Sequence, residues 1–308
     1  MIPCVPRARI TVAAFVLAVA CGGPPTGPST PRATGVEAAA LPYVVYDRDG
    51  RRVDDAALFG ALAAARAVCV GEQHSNPHHH WVQLRVVDEL SRRAAAAGRP
   101  FALGMEMFQR PFQAVLDAYA RGRIDDRVLL ARTEWRKRWG YDFALYRPIV
   151  ALAIRRGAAL VALNVRKEIA SKVGRHGLDG LTDAERAELP ELDLSDARHR
   201  AWFDGVMREH PGGEVTDSVY AAQVLWDETM ADTAARWLSA DSRRRMVILA
   251  GNGHCHDSAV VARLRRRGIE PAVSVRPVID DGEGGADDAL RDRATDFVVV
   301  MTAPSAGG

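Results

Sequence analysis

The feature that most constrains the fold is a short apolar run that ends in a glycine and is followed at once by a carboxylate and an imidazole. The run Val68–Gly71 is typical of a buried strand, because short apolar segments bounded by Gly favour strands. The following Ser75-Asn76-Pro77 segment is typical of a helix N-terminus. Glu72 and His74 therefore lie where a strand passes into a helix, and ligands of open α/β sheets bind at that edge.

Similar apolar runs recur along residues 41–308 and alternate with helical patterns, which predicts one α/β domain with a largely parallel sheet flanked by helices. Two helical stretches, about 110–156 and 166–240, are too long for simple crossovers. They predict an inserted helical subdomain that caps one edge of the sheet. The acidic, glycine-rich segment Asp280–Asp288 predicts a surface loop. The predicted strands are Tyr43–Tyr46, Ala67–Val70, Phe101–Glu106, Ala158–Leu163, Met246–Ala250, Ala272–Val275 and Phe297–Met301.

The first 21 residues resemble a bacterial lipoprotein signal. Arg7 and Arg9 form a positive start, and Ile10–Ala20 is apolar but too short to span a bilayer. Cys21 is then the expected lipidation site, and residues 22–40, rich in Pro, Gly, Ser, Thr and Ala, are expected to form a flexible tether. The alternative is an ordinary cleaved signal peptide with an incidental cysteine.

The charge pattern argues against a nucleic-acid partner. The net charge is +2, and the arginines are interleaved with Asp and Glu without a stripe of basic and aromatic residues. Cys69 and Cys255 are predicted to remain unbridged, since a buried cysteine usually behaves as a small hydrophobic residue. A disulfide between them is the alternative, because exported proteins can form one.

Polar side chains follow four of the predicted strands. They are Glu72 and His74, then Glu106, Asn164 and His254. Because parallel strands end at the same edge of a sheet, we expect these side chains to lie close together. We call Glu72, His74, Glu106 and His254 the strand-end cluster. Two imidazoles and two carboxylates could hold a divalent metal, or they could serve as general acid and general base.

Two further segments are candidates for ligand binding. His79 and His80 begin the next predicted helix as part of a histidine triplet, and their alternative is a solvated helix start. The segment Trp135–Tyr146 is rich in aromatic residues, and a packed helical core is the favoured interpretation. The alternative is a wall for a flat apolar ligand, with a tyrosine as an iron ligand.

Six separated blocks carry a resemblance to a known family. They span about residues 68–275 and occur in the family's order. With them the chain resembles the ChaN-like haem-binding lipoproteins, within a group that includes TraB and Tiki proteins and the erythromycin esterases. Arg166 departs from the pattern, where a proline is expected. The blocks are GEQHSNPHHHWVQ, LGMEMFQRPFQAVLD, WGYDFALYRPI, VALNV, AAQVLWDETMA and LAGNGH.

The resemblance implies haem as the cofactor, a role in haem or iron uptake, and a lipid anchor that holds the protein in the cell envelope, facing the periplasm or on the outer membrane. It also implies that a tyrosine holds haem between two cofacial subunits, so that a homodimer forms on haem binding. Tyr141 and Tyr146 match the aromatic block, with Tyr146 favoured and Tyr220 a third choice.

The same resemblance keeps a second hypothesis open. Related hydrolases use residues that match the strand-end cluster, which implies a metal-dependent or Glu/His hydrolase of peptides or esters. A third hypothesis is an envelope lipoprotein that only scaffolds other proteins.

Overall fold

The structure is a computed structural model that describes residues 41–208, 216–282 and 284–303. The predicted signal peptide, the tether and Cys21 lie outside the described residues, so they stay predictions. Among the residues that are described, no helix is both long and apolar enough to cross a membrane.

The described chain forms eight strands and twelve α-helices. The strands are β1 Tyr43–Asp47, β2 Arg52–Val53, β3 Ala67–Val70, β4 Phe101–Gln109, β5 Ala159–Asn164, β6 Arg245–Leu249, β7 Ala272–Asp280 and β8 Phe297–Thr302. The helices are α1 Asp55–Ala64, α2 Pro77–Ala96, α3 Gln113–Ala120, α4 Asp126–Arg132, α5 Trp135–Arg138, α6 Arg147–Arg155, α7 Lys167–His176, α8 Asp183–Ala187, α9 Ala197–Arg208, α10 Asp217–Ser239, α11 Val260–Arg266 and α12 Gly285–Asp292.

The strands form a single sheet in the order β2-β1-β8-β7-β3-β6-β4-β5. The six strands from β8 to β5 run parallel, and β1 and β2 add an antiparallel edge. The prediction of a largely parallel α/β sheet flanked by helices is confirmed. Strand β6 lies between β3 and β4, with Leu249 level with Val70 on one side and Met105 on the other. The ends of these three strands therefore meet.

The two helical stretches pack on opposite faces of the sheet, so the prediction that both cap the same edge is wrong. The reason is the alternation of side chains along β5. Leu160 and Ala162 join the core that holds α2 and α6, whereas Val161 and Leu163 join the core that holds α10 and α11. Each fully buried leucine or valine contributes about 1.5–3 kcal/mol to this packing.

Two further predictions are corrected. Cys69 and Cys255 form a disulfide, because the chain after β6 turns back over β3 and brings their Cα atoms to 5.2 Å, within the usual range for a bridge. The segment Asp280–Asp288 is only partly a loop. Strand β7 continues to Asp280 because β8 pairs with it as far as Thr302, and α12 already begins at Gly285.

Candidate functional site

The carboxyl edge of the adjacent strands β3, β6 and β4 brings the strand-end cluster together. The backbone N–H of Gly251 donates to Glu106 Oε2 at 2.7 Å, and that of Asn252 donates to the carbonyl of Glu72 at 2.9 Å. Gly71 is needed for this approach, since a Cβ there would lie 2.1 Å from Asn252 Oδ1. The segments that follow β3 and β6 thus lie directly against each other.

Glu72 is a buried carboxylate surrounded by donors. His74 Nδ1 donates to its Oε1 at 2.8 Å, Tyr146 donates to the same oxygen at 2.6 Å, and Gln83 donates to Oε2 at 2.7 Å. Burial alone would raise the pKa of Glu72, but His80, His74 and Tyr146 together lower it to about 2. Glu72 is therefore ionised at neutral pH and orients the imidazole of His74.

Glu106 and His254 form the second half of the cluster. His254 Nε2 lies 3.4 Å from Glu106 Oε1, and its Nδ1 donates to Asp227 Oδ1 at 2.6 Å. Burial opposes protonation of His254, but Glu106 and Asp227 outweigh it and raise the pKa to about 10.

Within residues 41–208, 216–282 and 284–303, no group of three His, Cys, Asp or Glu side chains is arranged to hold a metal ion.

The three candidate tyrosines have different surroundings. Tyr146 is fully buried, donates to Glu72 and accepts from Trp139 Nε1 at 3.1 Å. Tyr141 is half-buried, and its hydroxyl makes no hydrogen bond within the described part of the chain. Tyr220 is buried beneath α9, with its hydroxyl 3.2 Å from His199 Nδ1. Only Tyr141 of these three offers a partly accessible phenol beside the cluster.

Three half-buried rings form the exposed border of the site, and we call His74, Trp139 and Tyr141 the aromatic edge. The His74 ring centroid lies 4.6 Å from that of Trp139 and 4.8 Å from that of Tyr141. Trp139 and Tyr141 are themselves 5.6 Å apart. The core interpretation of the aromatic segment holds for Trp135, Phe143 and Tyr146, which are buried, and Trp139 and Tyr141 pack against the same core while remaining partly exposed.

The other side chains predicted to contact a cofactor, His79, His80 and Asn164, make hydrogen bonds within the protein. His79 and His80 are each 1% exposed, so the alternative of a solvated helix start is also wrong. His79 Nδ1 accepts from the backbone N–H of Gln73 at 2.9 Å, and burial lowers the pKa of His79 to about 3. Asn164 Nδ2 donates to the carbonyl of Glu106 at 3.0 Å. These side chains fix the backbone beneath the cluster.

Sequence reasoning did not assign roles to several buried polar residues around the cluster. Gln83 contacts Glu72, and Gln223 Nε2 lies 3.2 Å from His254 Nδ1. Asp227 follows Gln223 by one helical turn on α10 and contacts the same imidazole. The sequence carries no local signal for this role, because Asp227 is followed directly by Glu228 and Thr229 and so does not stand out as a lone polar residue on α10.

A surface cavity of about 650 Å³ lies elsewhere, between α1, α2 and α6. Phe59, Leu84 and Leu152 form its apolar part, with Arg85 and Arg155 among its charged residues. It contains no member of the strand-end cluster. We place the candidate site at the cluster, because buried ionised groups with strongly shifted pKa values concentrate there.

Comparison with known proteins points to one family. Residues 58–264 match the model of a family described as haem-binding uptake, Tiki superfamily, ChaN. The fold is similar to ChaN of Campylobacter jejuni, in a structure described as cofacial haem binding, with a TM-score of 0.66 and 16% identity over 85% of this chain and 97% of that one. It is more weakly similar to the erythromycin esterase EreC, with a TM-score of 0.42 and 14% identity over 80% and 78% of the two chains, which supports no functional conclusion. None of the curated proteins compared with the chain matches it significantly.

Proposed function

The chain belongs to the haem-binding uptake (ChaN) family of the Tiki superfamily, and from this membership we propose that it binds haem at the aromatic edge. The observation that carries the proposal is the half-buried phenol of Tyr141 beside His74 and Trp139. These rings offer an apolar border for a flat ligand next to an oxygen donor.

Tyr141 is the better candidate than Tyr146 for the iron ligand. Tyr146 is fully buried and donates its proton to Glu72, so ligation would require it to leave a charged partner. Burial, Glu106 and Glu72 raise the pKa of the Tyr141 phenol, so its phenolate forms only with a cation held against the oxygen. Ferric haem would supply such a centre, since tyrosine is an established type of haem ligand.

The other residues of the site have separate tasks. Glu72 holds His74 through Nδ1, which fixes the orientation of that ring within the aromatic edge. Trp139 connects the edge to the buried Tyr146, to whose oxygen it donates. The site thus combines an aromatic border, held in place by these contacts, with the two buried carboxylates of Glu72 and Glu106.

Titration with hemin tests this proposal. We expect the wild type at micromolar concentration to develop a shifted Soret band that saturates. Tyr141→Phe should remove the spectral features of phenolate ligation, whereas the matched variant Tyr146→Phe should keep them. A wild type that leaves the hemin spectrum unchanged would end the proposal, and loss of the signature in Tyr146→Phe alone would reassign the ligand.

We also propose the finer roles that the family resemblance implies: haem or iron uptake, lipid anchoring through Cys21 in the cell envelope, and haem shared between two copies of the chain. Lipid labelling that persists in Cys21→Ser would contradict the anchor. Sedimentation of the protein with and without hemin tests the dimer, which should appear only with hemin. Growth on haem as the iron source, with and without the protein, tests the uptake role.

One observation favours a second candidate function, a hydrolase of peptides or esters. The Glu72–His74 pair is a carboxylate-oriented imidazole at the border of a buried polar site, an arrangement suited to general base catalysis. Turnover of a panel of peptide and ester substrates by the wild type, lost in His74→Gln, would support it. No turnover, or equal turnover in His74→Gln, would remove this candidate.

A further inference from the structure

A second layer of buried polar side chains, Asp227, His199 and Arg263, lies behind His254. Asp227 Oδ1 accepts from His254 Nδ1 at 2.6 Å, and its Oδ2 lies 3.1 Å from His199 Nε2 and 3.9 Å from Arg263 Nη1. Asp227 and His199 are 0% exposed and Arg263 is 1% exposed. The layer is therefore sealed from solvent and from any ligand at the aromatic edge.

These residues come from three separate helices. Asp227 lies on α10, His199 on α9 and Arg263 on α11. Taking a carboxylate and its partners out of water costs several kcal/mol per ion, which is recovered only with close and specific contacts. A buried layer of this kind therefore adds little net stability to the fold, and its contact with His254 indicates a role in the site.

The geometry determines which ring nitrogen of His254 faces the cluster. Since Nδ1 donates to Asp227, Nε2 points to Glu106, whose other oxygen accepts from the N–H of Gly251. Gln223 Nε2 lies 3.4 Å from the carbonyl of Gly253 and so holds the same loop from α10. Rotation of the His254 ring would break the contacts with Asp227 and Glu106 together.

We propose that Asp227 is a positioning residue for His254, with His199 and Arg263 holding its carboxylate in place. His254 in turn fixes Glu106 at the carboxyl edge of β4. The raised pKa of His254 agrees with this arrangement, since Asp227 is one of the two carboxylates that cause it. The proposal deepens the proposed function and rests on it, because haem at the aromatic edge would contact His74, whose electrostatic partners include Glu106 and His254.

Nuclear magnetic resonance of the histidine side chains of the full chain tests the proposal directly. We expect wild-type His254 to show protonated Nδ1 with a strongly deshielded proton, as a short hydrogen bond to a carboxylate produces. Asp227→Asn should abolish that resonance. The matched control Glu228→Gln alters a neighbouring, equally buried carboxylate that pairs with Arg263 and leaves the carboxylate of Asp227, and so its direct bond to His254, in place. It should leave the resonance in place.

Binding of hemin supplies the functional readout. Loss of a side chain that orients a metal ligand typically costs about 10–100-fold in metal affinity, and Asp227 acts more remotely, through His254 and Glu106. We therefore expect the lower end of that range, about tenfold weaker hemin binding, for Asp227→Asn and less than about twofold for Glu228→Gln. If Asp227→Asn does not fold, His199→Gln serves in its place and should broaden or shift the same resonance. An unchanged His254 resonance in these variants would overturn the inference. A wild type that does not bind hemin would overturn only the proposed function, since the resonance still decides the role of Asp227.

Discussion

Tyr146→Phe, which removes one hydroxyl group from the buried part of the site, should measurably lower the free energy of unfolding. Tyr146 is fully buried and donates to the ionised carboxylate of Glu72 at 2.6 Å. Tyr146→Phe keeps the ring and its packing against His80 and Trp135, whose centroids lie 4.6 and 5.6 Å away. The variant therefore isolates the hydrogen bond from the burial of the side chain.

The size of the effect follows from the type of bond. A hydrogen bond to a charged group contributes about 1.5–3 kcal/mol, and an unmet buried acceptor cannot be compensated by water. Trp139 Nε1 also loses its acceptor, so we expect a total loss of about 2–3 kcal/mol in the free energy of unfolding. For a chain of this size that corresponds to a decrease of about 3–5 °C in Tm.

Urea unfolding followed by tryptophan fluorescence would measure the difference, since Trp135 and Trp139 lie beside the altered group. The matched control is Tyr141→Phe, which removes a hydroxyl with no hydrogen-bond partner in the described chain and should change stability by less than about 0.5 kcal/mol. Equal destabilisation by the two variants would refute the assignment of Tyr146 as a donor to ionised Glu72.

Three further predictions concern the surroundings of the cluster. The pKa of His79 in the folded chain is lowered to about 3, so below pH 6.5 only the unfolded chain takes up a proton at this residue, and the folded state loses stability as the pH falls. The difference in the free energy of unfolding between wild type and His79→Asn should therefore shrink by about 1.4 kcal/mol between pH 7.5 and 5.5, as measured by denaturant unfolding. Gly71→Ala should cost about 1–3 kcal/mol in the same assay, and the added Asn252→Ala should restore part of it, because the new Cβ meets the Asn252 side chain. Replacement of Cys69 and Cys255 together by Ala should cost about 3–5 kcal/mol, and a loss below 1 kcal/mol would contradict a disulfide that closes so long a loop.

The parts of the fold that were predictable from the sequence are those with local signals. Apolar runs that end in Gly, as before Glu72 and after Leu249, marked the strands, and parallel pairing then required their ends to meet. Strand β2 was missed because its two residues are too few to show an alternation of apolar and polar side chains.

The rest depended on contacts between distant segments. Periodicity shows that a stretch is helical, but it does not show which face of the sheet the helix covers, so the two helical stretches were placed on the same edge. The partner of Cys69 depended on β6 lying beside β3, across a separation of 186 residues. Asp227 was invisible as a site residue for the same reason, because its role depends on where α10 meets the loop after β6.

The disulfide offers a chemical measure of whether two distant segments of the chain have come together. Cys69 lies on β3, and Cys255 directly follows His254 in the loop after β6. In the native arrangement the bond therefore ties β3, which precedes Glu72, to the loop that carries His254. The mobility of newly made chains on non-reducing gels should report what fraction has joined these two segments, without any ligand or activity to follow.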